Sequence, residues 1–122
     1  MNNPPNYWLV GANWLGDDQA SVFFRRGYWV MGHDDENVPV QASRRDQIKV
    51  GDRIAIKKLN GRAAKTITII AIGIVKDIAD KKVYIDWKLI DMNRFVPSHG
   101  AFTSIHGPYL FTETWVQEIF SL

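Results

Sequence analysis

The chain contains no cysteine. That excludes disulfides, thiol nucleophiles and cysteine-ligated zinc, and it fits a reducing, cytoplasmic compartment. Long apolar runs are also missing. The longest, Ile69 to Val75, is far too short to cross a bilayer, so no membrane partner is expected. Met1-Asn2-Asn3-Pro4-Pro5 has neither the basic region nor the apolar core of a signal peptide. Excess charge of one sign is slight: the net charge is +2, which permits nucleic-acid binding without demanding it. The basic residues come in pairs, Arg25-Arg26, Arg44-Arg45, Lys57-Lys58 and Lys81-Lys82, which read as solvated surface. There is no Gly-x-Ser-x-Gly elbow, P-loop or dinucleotide fingerprint, so neither a cofactor nor an enzymatic role is expected.

What is abundant is aromatic: five Trp, four Tyr and six Phe in 122 residues. The length suits one domain spanning residues 1–122. Tyr7 to Ala12 reads as a short buried strand. Asp17 reads as a helix N-cap with Asp18 in the first turn, and "DDQASVFFRRG" predicts a helix ended by Gly27, with Phe23, Phe24 and Ala20 facing the core. Residues 30–46 are polar and aperiodic, and predict a long loop with one helical turn near Ser43 to Gln47.

From Val50 the pattern turns to strands. Gly51-Asp52 makes a turn capped by Asp52, and "RIAIK" places Ile54 and Ile56 on one face. In "TITIIAIGIVKDI", Ile67 and Ile69 share one parity while Ile70, Ile72 and Ile74 share the other. Strict alternation cannot do that, so a β-bulge or sharp bend is predicted near Ile69-Ile70, with Gly73 allowing close approach. "VYIDWKL" resumes alternation, a strand is predicted near Arg94-Phe95-Val96, and "TETWVQEIFSL" predicts a short helix with Thr114 and Gln117 at capping-box spacing. The expected fold is α+β: a curled antiparallel β-barrel or sheet flanked by short helices.

"NYWLVGANW", "IKVGDRIAIKK", "IIAIGIVKDI" and "VYIDW" together resemble the PUA-like superfamily, and within it the EVE-type domains, relatives of YTH and ASCH domains. More narrowly, they resemble the N-terminal modules of McrBC-type modification-dependent restriction ATPases. The resemblance covers residues 6–120. It implies a pocket that takes a flipped, modified base, a methylated one above all, between aromatic side chains, modified DNA favoured over RNA, in a restriction or defence context, with an ATPase or nuclease fused to the module or working with it.

The chemistry of such a pocket is general. An extruded base loses stacking and regains about 1–3 kcal/mol on an aromatic ring. Asn13, Trp14, Tyr28 and Trp29 supply the residue types for the base, flat walls beside a hydrogen-bonding side chain. Core packing is the competing reading for Trp14 and Trp29, and the expected role of Trp8, Trp87 and Trp115. Arg44, Arg62, Lys65 and His99 are the candidate phosphate contacts. The alternative function is a metal-dependent hydrolase or nuclease using the His33-Asp34-Asp35-Glu36 loop, although four adjacent loop residues do not converge without special geometry. An RNA-binding PUA- or ASCH-like domain and a protein-interaction module remain open beside it.

Overall fold

A computed structural model describes residues 4–61 and 63–122. The chain is α+β, a curled sheet with three short helices. In order, the elements are β1 (Tyr7–Gly11), β2 (Asn13–Trp14), β3 (Asp17–Asp18), α1 (Ala20–Arg26), β4 (Tyr28–Trp29), α2 (Pro39–Asp46), β5 (Arg53–Leu59), β6 (Thr66–Ala79), β7 (Lys82–Leu89), β8 (Arg94–Pro97), β9 (Ile105–Tyr109) and α3 (Thr114–Phe120). The large sheet runs β4-β7-β6-β5-β1-β9, with β8 also on β6.

Most pairings are antiparallel, as expected, but β1 and β5 run parallel. A parallel neighbour needs a crossover. The segment from β2 to α2 supplies it, which explains why those residues are neither a hairpin nor a free loop.

The predicted bulge is present. Ile56 pairs with Ala71 and Lys57 with Ile69, so Ile70 is the extra residue on β6. Its effect on packing is direct. Ile67, Ile69 and Ile72 share the core built on Leu9, Ala55 and Val96. Ile70, Ala71 and Val75 pack into the opposite core, with Trp8, Ile54 and Ile56. The strand therefore serves two cores across one parity change. On its far edge β6 also changes partner, from β8 at Thr66–Ile69 to β7 from Ile72 onward. Gly73 permits the close approach foreseen for it: a Cβ there would lie 2.3 Å from Ile85 Cγ2.

Helices cover both faces of the sheet. Ala20 and Phe23 of α1 and Ala42 of α2 enter the first core, and Val116, Ile119 and Phe120 of α3 enter the second. Three local expectations are corrected. Asp17 and Asp18 form a strand pair with Trp14 and Asn13, so α1 begins later, at Ala20, with Asp18 Oδ1 accepting the Ala20 N–H at 2.9 Å. Residues 39–46 form two turns of helix started by Pro39, where a loop with a single turn was expected; proline at the first helical position loses no needed donor. Thr114 does not cap α3. Glu113 occupies that position, and its carboxylate accepts the Leu110 N–H at 3.1 Å instead. The C-terminal end of α1 matches expectation, with Gly27 left-handed at φ 72° and its N–H on Phe23 O.

Asp52 does more than cap a turn. Its buried carboxylate accepts N–H groups from Asn6 at 3.1 Å, from the Trp8 indole at 2.9 Å and from Lys49 at 3.0 Å. It joins the entry to β1, the core tryptophan and the turn before β5. Asp52→Ala leaves these donors without an acceptor, one of them in the core, and is expected to cost about 3 kcal/mol or more. Urea unfolding of the two proteins checks this; a shift under 1 kcal/mol would show that the carboxylate is not a structural clasp.

Candidate functional site

The bulge on β6 opens a cleft. Its walls come from Gly11 to Asn13, Gly16 and Asp18 of the β2-β3 hairpin, Val38 to Gln41 at the start of α2, Lys57 to Leu59, Ile70, and Phe102 to Ser104 before β9. His33 closes one side. The volume is about 790 Å³, within the range of small-ligand sites, roughly 300–1,000 Å³. Three apolar side chains on the rim are open to solvent: Val40, Leu59 and Phe102.

Lys57 is the unusual group. It follows Ile56 where the β5-β6 register shifts, and it pairs with Gly11 across the parallel ladder. Gly11 leaves open the space beside the ammonium, for a Cβ at Gly11 would lie 3.6 Å from Nζ. Lys57 is only 6% exposed. Among the described residues no carboxylate stands within ion-pair distance of it. Burial without a counter-charge disfavours the ammonium and pulls its pKa down to about 8.

Around it the polar groups are held in place. Gln41 Oε1 accepts the Ile105 N–H at 3.2 Å and faces Thr103 Oγ1 at 3.4 Å. His106 Nε2 accepts the Thr103 N–H at 3.1 Å and lies 2.8 Å from its hydroxyl. Burial first, then the Lys57 and Arg44 cations, lower His106 to about 4. The ring is therefore neutral at pH 7, and its acceptor Nε2 places the ring proton on Nδ1.

The structure separates the residues singled out in the sequence. Asn13 lines the cleft, and its Oδ1 accepts the Gly16 N–H at 2.6 Å, which holds the hairpin turn. Trp14 lies behind that hairpin. It is half-buried, edge-on to Phe23 at 6.0 Å, with Gly32 so close that a Cβ there would meet Cδ1 at 2.2 Å. Its Nε1 has no hydrogen-bond partner among the described residues. Trp29 is a core residue: it is fully buried, and its Nε1 donates to Gly11 O at 2.8 Å. A strand pair with Val83 turns the ring inward, so it presents no face to a ligand. Tyr28 stands against Phe23 and Tyr84, with Lys82 over its ring at 5.2 Å. These four do not form one pocket.

Of the phosphate candidates, Arg44 lies close enough to act on His106 and donates to Ile105 O at 2.9 Å. Lys65 is exposed beside the β8 end, where its carbonyl accepts the Ser98 N–H. Arg62 lies outside the described residues. His99 stacks on Trp115 at 4.9 Å, on the side of the second core, and is not part of the cleft.

The His33-Asp34-Asp35-Glu36 loop borders a second hollow with Arg45 and Lys81. Asp35 is fully engaged there. Arg45 binds it through both terminal nitrogens, at 2.6 and 2.8 Å, and Lys81 adds a contact at 3.1 Å. The Arg45 and Lys81 hydrogen bonds hold the Asp35 carboxyl well below the usual carboxylate range. Arg45, expected as surface, is buried, and this bidentate pair is why it can be. Among the described residues no three His, Asp or Glu side chains are placed to hold a metal ion. Among the described residues no helix is long and apolar enough to cross a membrane.

Sequence reasoning missed Lys57 and Phe102. The one signal for Lys57 was its place at the end of an alternating apolar strand, where a solvated lysine would be ordinary. No protein-family model, curated protein or solved structure matches the chain.

Lys57 makes stability depend on pH. In the unfolded chain it titrates near 10.5, in the folded one near 8. Below pH 8 both states hold the proton and the burial penalty is complete. Between 8 and 10.5 the unfolded chain binds more protons, so stability rises with pH. Unfolding measured from pH 7 to 11 on the parent and on Lys57→Met should therefore show Lys57→Met more stable at pH 7, by about 1–3 kcal/mol, and the two converging across that window. Parallel curves would contradict a buried, unpaired ammonium.

Proposed function

We propose that the protein is a nucleic-acid binding module that takes one extruded, modified base into the cleft at the β6 bulge and leaves it intact. The observation that carries this reading is the combination in one cleft of an exposed aromatic ring, Phe102, and a largely buried cation, Lys57, with no carboxylate partner among the described residues. A flat heteroaromatic ring with a polar edge satisfies both. One face stacks on Phe102, and the edge accepts from Lys57 and meets Thr103, Ser104 and Gln41. Val38, Val40, Leu59 and Ile70 give apolar wall for a substituent on the ring.

Phe102 takes the role the sequence gave to Trp29. Lys58 on the cleft wall, with Lys65 and Arg44 beyond it, is available to the flanking phosphates. The resemblance of the sequence to PUA-like, EVE-type domains points the same way, and with it a PUA-like barrel, DNA as the preferred strand and an ATPase or nuclease as working partner. The ion-paired state of Asp35 gives the competing hydrolase reading no support from this loop.

Phe102 is 48% exposed, so its removal should spare the fold. Phe102→Ala is expected to lower affinity for a modified single-stranded oligonucleotide by roughly tenfold, as losing one base stack would, with thermal unfolding unchanged. Parent affinity should fall as salt rises. Fluorescence anisotropy on the two proteins reads both effects. Equal affinities, or binding indifferent to salt, would contradict the reading.

A further inference from the structure

Resting on that reading, we infer that the cleft selects a base whose inner edge presents an acceptor oxygen, best an anionic one, to Lys57. A largely buried ammonium gives up part of its hydration. Lys57 lines the cleft, and among the described residues no carboxylate lies within ion-pair distance to supply its counter-charge. Its neighbour His106 feels Lys57 and Arg44 as cations. The carboxylate on the cleft wall, Asp18, is turned to the Ala20 N–H and makes no ion pair with Lys57.

Lys57 carries three donors and no acceptor. A keto group, such as O6 of guanine or O4 of thymine, can receive one of them, whereas an exocyclic amino group of cytosine or adenine meets the ammonium donor to donor. A carboxylate on the ring does more, since it brings the missing counter-charge. A methyl group alone brings neither. Lys58 on the same cleft wall adds a second positive charge, while His106 holds Thr103 through an acceptor nitrogen. The ligand class is therefore bases that carry a carboxyl group, or an oxo group at the position of thymine O4 or guanine O6, with methylcytosine, which has an amino donor at that position, as the poor member.

The test uses single-stranded oligonucleotides identical but for one central residue: 5-carboxylcytosine, thymine or 5-methylcytosine. Affinities are measured on the parent and on Lys57→Met, which replaces the charge by an apolar chain of similar length. The parent should bind the carboxylated strand at least tenfold more tightly than the methylated one, with thymine between them. Lys57→Met should bring the three affinities within about twofold of one another. Equal affinities on the parent, or a gap that persists in Lys57→Met, would overturn the inference while leaving base binding intact. A parallel titration with free orotate, a carboxylated pyrimidine, separates the two claims. If no oligonucleotide binds but orotate binds the parent and not Lys57→Met, the acceptor subsite stands and the nucleic-acid reading fails. If orotate does not bind either, the inference fails with it.

Discussion

A single inserted residue, Ile70, is the constraint on which the rest of the structure depends. Without it, β6 would present one parity to each face from Thr66 to Val75. With it, Ile67 and Ile69 feed one core, Ala71 and Val75 the other, and the strand passes from β8 to β7 without breaking its ladder to β5. Bulges bend a strand and re-aim its neighbours. Here the neighbour is Lys57, opposite the shift, and the opening that results is the cleft.

Two cations expected on the surface are buried, and their surroundings differ. Arg45 is buried against a bidentate carboxylate and tied further to Asp46, an arrangement that fixes α2 to the loop before it. Breaking such a pair is costly because the remaining charge is stranded. Lys57 is buried to the same degree with no such partner. A cation held in that state lowers stability. The separation of the two is physical: β5 and the approach to β9 carry Lys57, while the second hollow, with its acids, lies where β6 and β7 turn at Asp80 and Lys81.

Much of the architecture was legible in the sequence, because it is written in parity and punctuation. The isoleucine phase change placed the bulge near Ile69-Ile70, Gly27 ended α1, and the last residues gave a short helix. The parallel pairing of β1 with β5 was not legible, since parity says which face a residue takes and nothing of strand direction. The site was read less well. Trp14 and Trp29 flank turns in sequence, yet the β2-β3 pairing and the β4-β7 pairing fold both rings inward. Lys57 looked like half of a solvated pair. It stands across the ladder from Gly11 and opposite a bulge in a different strand, placements that no local pattern encodes.

The claim at the centre of this account is that ligand binding occurs at the bulge cleft and not at the exposed aromatics elsewhere. Amide chemical-shift mapping with a single-stranded oligonucleotide tests it most directly. The account predicts that the largest shifts fall on Gly11, Asn13, Lys57, Lys58 and Phe102 to Ser104, with Tyr28, Tyr84 and His99 little changed. Shifts centred on Tyr28 and Tyr84, or on the His99–Trp115 stack, with the cleft residues unmoved, would contradict it.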